Sequence, residues 1–128
     1  MEIEDFAYIV KTNKAFEESV VSVLKSVEKK GWTIFQVYDL KERLEVKGFI
    51  QDRLKIIEIC SGKHANTLLN INKIFSVCMP CRINIFEDNQ IIKIASVKPS
   101  ILSDFSNEAK KALEEVENEI KEIIEEAK

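Results

Sequence analysis

Polar and apolar positions along this chain switch between two rhythms. Short stretches rich in β-branched and aromatic residues read as strands, and longer stretches with apolar residues three and four apart read as helices. Phe6-Ala7-Tyr8-Ile9-Val10-Lys11-Thr12 is the first predicted strand. Thr12 or Asn13 is then positioned to cap a helix whose buried stripe is Phe16, Val20, Val23, Leu24 and Val27. Glu17 and Glu18 fall in its first turn, and Lys29, Lys30 and Gly31 close it, as the helix dipole and a left-handed stop favour. Trp32 to Tyr38 is the second strand. Asp39-x-x-Glu42 starts a short helix carrying Leu40 and Leu44, ended by Gly48.

The third strand spans about Arg53 to Cys60, and Ser61 is the predicted N-cap of a helix holding Ala65, Leu68 and Leu69. An irregular stretch covers Lys73 to Pro80. Arg82 to Glu87 and Gln90 to Val97 then read as a hairpin turning at Asp88-Asn89, and Pro99 stops its second strand. Asp104 or Ser106 opens a long last helix. Its apolar stripe is Ala109, Ala112, Leu113, Val116, Ile120, Ile123, Ile124 and Ala127, and its other face is nearly all Glu and Lys.

The resulting order is β-α-β-α-β-α-β-β-α. It predicts an α+β fold: a single-layer, mostly antiparallel or mixed five-stranded sheet packed by helices on one face, in one domain spanning residues 1–128. A doubly wound nucleotide-binding fold is disfavoured, because neither G-x-G-x-x-G nor G-x-x-x-x-G-K-[ST] occurs.

Composition narrows the classes. With 128 residues and 45% apolar content the chain can bury one real core. No apolar run reaches the roughly 18 residues of a membrane helix. The acidic start Met1-Glu2-Ile3-Glu4-Asp5 is unlike a secretory signal, so a cytoplasmic location is expected. A net charge of −3 with no basic stripe argues against nucleic acid as a partner. The odd number of cysteines, 3, argues against a disulfide framework.

Those cysteines carry the most suggestive chemistry. Cys60 ends the strand pattern Leu54-Lys55-Ile56-Ile57-Glu58-Ile59-Cys60, and the sole histidine, His64, follows four residues on. Cys78-Met79-Pro80-Cys81 leads into the strand pattern Arg82-Ile83-Asn84-Ile85-Phe86-Glu87. A cysteine before a helix N-terminus is placed to have its thiolate stabilised, with Lys63 and His64 adding positive charge. Cys78-x-x-Cys81 has redox spacing but precedes a strand, whereas a thioredoxin-like motif opens a helix. Cys60, His64, Cys78 and Cys81 together would supply a tetrahedral zinc set, the only cofactor the sequence suggests. Ser61-Gly62-Lys63-His64 at a strand-to-helix junction offers backbone N–H groups and a lysine to an anion, with Arg82 from the next strand. No Ser-His-Asp set can be assembled, and the chain reads as a binding domain rather than a well-developed enzyme. Trp32, Phe35 and Tyr38, at strand spacing, read as core or dimer surface.

Several of these residues carry a resemblance. The element order, Phe16-Glu17-Glu18, Leu40-Lys41-Glu42-Arg43-Leu44 before Gly48, the strand-ending Cys60 and Pro80-Cys81 before a strand together resemble the small prokaryotic family catalogued as domain of unknown function 302. The resemblance covers nearly the whole chain. It implies an α+β fold and a homodimer, and no established reaction. The family's strand-end cysteine falls on Cys60 and its Pro-Cys pair on Pro80 and Cys81; Ser61-Gly62 stands where members often have Asn-Pro.

Three readings follow. One is a homodimeric module binding a small ligand or anion through Cys60, Ser61, Lys63, Pro80, Cys81 and Arg82. A second is a thiol-dependent redox or sulfur-handling protein using Cys60 and Cys81. A third is a structural interaction module with its cysteines buried as packing.

Overall fold

The computed structural model describes all 128 residues, Met1–Lys128. Five strands, β1 (Ala7–Thr12), β2 (Thr33–Asp39), β3 (Leu54–Cys60), β4 (Cys81–Asp88) and β5 (Ile91–Val97), form one sheet in the order β1-β5-β4-β3-β2. Every neighbouring pair is antiparallel, which resolves the mixed alternative. The helices are α1 (Ile3–Phe6), α2 (Phe16–Lys29), α3 (Leu40–Glu45), α4 (Gly62–Ile71) and α5 (Lys110–Ala127). Short 3₁₀ turns cover Lys73–Cys78 and Pro99–Leu102. The predicted order therefore stands, with α1 and the 3₁₀ turns added.

Strand alternation sends Ile57, Ile59, Ile83, Ile85 and Ile94 to one face, where all five are fully buried. Against them lie the apolar stripes of α2 and α5. All eight predicted stripe residues of α5 are buried, as are Phe16, Val20, Val23 and Val27 of α2. These side chains join in a single hydrophobic cluster of 21 residues. Burying each isoleucine removes it from water at a gain of about 1.5–3 kcal/mol. Ser26 pins the two helices together: its hydroxyl donates to the Ile123 carbonyl at 2.7 Å.

The opposite face carries no helix layer. Register places Ile9 opposite Ala95, Ile56 opposite Asn84, and Leu54 opposite Phe86 on it. Ile9 is 39% exposed there, and Val97, farther along β5, is 55% exposed. A bulge at Phe35 interrupts the β2–β3 register and leaves that ring exposed.

Several expected boundaries move. Helix α2 has Ala15 as its N-cap, not Thr12 or Asn13, and the Thr12 hydroxyl instead accepts from the Lys14 N–H at 3.1 Å. The hairpin turns at Asn89-Gln90, one residue later than expected, with both residues at positive φ (50° and 68°). Asn is among the residues that adopt this left-handed region most readily, whereas Gln90 is held there by the β4–β5 register. Helix α5 becomes regular only at Lys110; Ser106 does act as a local cap, its hydroxyl accepting from the Ala109 N–H at 3.2 Å. Trp32 precedes β2 and joins the core, while Phe35 joins neither core nor strand ladder. Asp39 and Ser61 cap α3 and α4 as their positions predict.

Candidate functional site

The end of β3, the start of β4 and the end of β5 converge at one end of the sheet. Helix α4, the two 3₁₀ turns and the middle of α5 close over them. Between these elements lies a cavity of about 470 Å³, with 18 hydrophobic residues among the 26 that line it. Its volume falls within the range of about 300–1,000 Å³ common to protein pockets. Five of the six predicted ligand residues, Cys60, Ser61, Pro80, Cys81 and Arg82, border it. Lys63 does not; it sits exposed on the first turn of α4.

The two cysteines meet the cavity from different faces. Cys81 pairs with Ile59 across β3 and β4 and shares its core-facing side. Cys60, one residue along β3, pairs with Thr33 and faces the other way. Both border the cavity because its lining takes residues from both faces, with Asn84 and Ala95 on the same face as Cys60. Burial pushes the Cys81 thiol up to about 11, with the nearby Cys60 and Cys78 adding to the rise and Arg82 opposing it. Burial alone raises the Cys60 thiol. The downward shift expected from the α4 N-terminus is absent, since desolvation opposes the thiolate. The α4 start is partly occupied by its own cap: the His64 backbone N–H donates to the Ser61 hydroxyl at 3.5 Å.

His64 is not a surface residue of α4 but is buried, 6% exposed. Its Nε2–H donates to the Glu119 carboxylate on α5, and the Trp32 indole Nε1–H donates to the other Glu119 oxygen at 3.0 Å. The Trp32 and His64 rings stand 6.0 Å apart. Burial works to raise the Glu119 pKa, but these hydrogen bonds and the charges of His64 and Lys30 outweigh it, so the net shift is downward. Trp32 and His64 both line the cavity. Sequence alone gave no sign of this Trp32-Glu119-His64 bridge, because its members come from three separate elements.

The zinc set is not assembled. No three His, Cys, Asp or Glu side chains gather where a metal ion would fit. Cys60 and Cys81 diverge across the sheet, His64 is held by Glu119, and Cys78 is exposed at the end of its 3₁₀ turn. The peptide joining Met79 to Pro80, between Cys78 and Cys81, is cis.

Arg82 reaches Glu58 at 3.4 Å, and Glu58 also accepts from the Tyr38 hydroxyl at 2.7 Å. Ser96 donates to the Arg82 carbonyl at 2.8 Å, fixing the end of β5 beside the start of β4. Lys98, which follows β5, spends its ammonium on the Glu4 carbonyl at 2.6 Å. No helix in the molecule is long and apolar enough to cross a membrane.

An all-antiparallel sheet with one helical layer and an end cavity defines a small α+β domain protein. The chain belongs to the family described as Domain of unknown function DUF302, whose model matches residues 8–127. The fold is also that of an uncharacterized conserved DUF302 protein from Bacillus stearothermophilus, known from its crystal structure. The likeness has a TM-score of 0.91 at 21% identity and covers 96% of this chain and 98% of that one. No curated protein matches the chain.

Proposed function

We propose that this protein is a small-ligand binding module and that the cavity at the end of the sheet is its site. The observation that carries this reading is the half-open, largely apolar space of about 470 Å³ bordered by Cys60, Ser61, Pro80, Cys81 and Arg82. A homodimer belongs to the same reading; its support is the sheet face without a helix layer, where Ile9 and Val97 are 39% and 55% exposed. A cytoplasmic setting fits the three unpaired cysteines. The thiol-dependent alternative is weaker, because burial raises both the Cys60 and the Cys81 thiols, and reactive cysteines are those whose thiolate is stabilised.

The neutral dye N-phenyl-1-naphthylamine, which brightens in apolar surroundings, tests the site. Saturable enhancement at one dye per chain is expected, and Ala65→Phe, which places a ring in the cavity wall, should abolish it while the far-UV circular dichroism stays native. Dye binding that survives Ala65→Phe places the dye elsewhere and removes the cavity as the site.

A further inference from the structure

Resting on that reading of the cavity, we infer that its ligand is a largely apolar molecule carrying a single anionic group, of the fatty-acid type. The wall is mostly hydrocarbon and aromatic, with Trp32, Phe75, Leu68, Leu113 and Val116 among its residues. Such a wall rewards an apolar body in proportion to the area it covers. Its charged residues are of one sign. Arg82 and Lys98 line the cavity, and no aspartate or glutamate does. This happens in a chain whose net charge is −3, so the local excess of positive charge runs against the overall balance.

Both cations are available to a ligand. Arg82 is 51% exposed, and its only carboxylate contact, with Glu58, is long at 3.4 Å. Lys98 makes no ion pair; its partner is a neutral carbonyl. The half-buried carboxylate of Glu119 does not line the cavity and already accepts hydrogen bonds from Trp32 and His64, which do. The two cations border the cavity from different sides: Arg82 reaches toward Glu58 on β3, and Lys98 toward Glu4 ahead of β1. A guanidinium or an ammonium at the rim of an apolar space suits a carboxylate head group. A cationic ligand would meet two like charges. A nucleotide would set a polar body against an apolar wall and has no phosphate-binding loop to receive it.

Trp32 is the only tryptophan and lines the cavity, so its emission reports occupancy directly. The probes are decanoate, 1-decanol and decylamine, each kept below its micellar concentration. They share one chain length and differ in head group. Decanoate is expected to bind at least about tenfold tighter than decanol, with decylamine weakest. In the double variant Arg82→Gln/Lys98→Gln the decanoate-to-decanol affinity ratio should fall to about one. Glu58→Gln, which releases Arg82, should raise that ratio.

Equal binding of the three probes by the unaltered protein overturns the anion inference and leaves the cavity reading standing. A preference for decanoate that survives the double variant overturns the assignment to Arg82 and Lys98. Failure of all three probes to change Trp32 emission, together with a negative dye titration, removes the cavity reading as well.

Discussion

The two faces of the sheet are built by the same strands and share a liking for isoleucine, yet their isoleucines differ in fate. Ile83 and Ile94 on one face are fully buried, whereas Ile9 on the other is 39% exposed. Residue type does not separate them; the partner layer does. The covered face meets the stripes of α2 and α5, and the bare face meets no helix layer. What distinguishes core from surface here is thus the parity of a residue along its strand. The two cysteines at the cavity obey the same rule, with Cys81 on the covered side and Cys60 on the bare one.

The comparison can be broken most forcefully from the covered side. Ile83→Ala should cost about 2–5 kcal/mol in urea-induced unfolding, the range for an emptied core site. A cost under 1 kcal/mol would mean that the helical layer does not hold this face closed. The next largest effect concerns the polar bridge behind the cavity. Glu119→Ala leaves the Trp32 and His64 donors without their acceptor and should cost about 1–3 kcal/mol. Trp32 fluorescence should shift in the same variant; an unmoved spectrum would show that the indole does not depend on the bridge.

Cys81 gives a pH-dependent version of the comparison. Its thiol is raised from 9.0 in the unfolded chain to about 11 in the folded one. Below pH 9 both states hold the proton and the stabilisation is whole. Between 9 and 11 the unfolded chain releases the proton while the folded chain keeps it, so stability falls with rising pH. The fall approaches about 1.4 kcal/mol per pH unit for this one group. Subtracting the pH profile of Cys81→Ala from that of the unaltered protein isolates it; identical slopes for the two proteins would refute the assignment.

The smallest effect on stability belongs to the bare face. Ile9→Glu, flanked on that face by Lys11 and Lys93, should change the stability of the isolated subunit by no more than about 0.5 kcal/mol. Sedimentation carries the sharper message. A dimer built on this face should become a monomer in the variant, and an unchanged dimer would move the contact elsewhere.

Much of this architecture was legible in the sequence because it rests on periodicity. The α5 stripe from Ala109 to Ala127 was readable in full, since eight apolar residues at helical spacing admit one face only. Local chemistry likewise marked Asp39 and Ser61 as caps. What escaped was set by distant partners. His64 looks like a surface residue until Glu119, 55 positions away, is brought against it. The opposed orientation of Cys60 and Cys81 follows from the β3–β4 register, which the spacing of two strand patterns leaves open. The hairpin slipped by one residue because Asp88, Asn89 and Gln90 are all polar, and hydrophobic pattern cannot choose among them. Lys63, which the sequence placed at the site, faces solvent because the first turn of α4 directs His64 inward instead.

Strand order also sets a timetable. β2, β3, β4 and β5 follow one another as neighbours, so a chain leaving the ribosome can zip them in order. β1 precedes all four but has a single neighbour, β5, so Tyr8 must wait for Ser96. The last residues complete the closure: Lys14 donates to the Ala127 carbonyl at 2.8 Å, and Thr12 to that of Lys128 at 3.0 Å. The loop after β1 is therefore held by the end of α5, and β1 stays unpaired until β5 has been made.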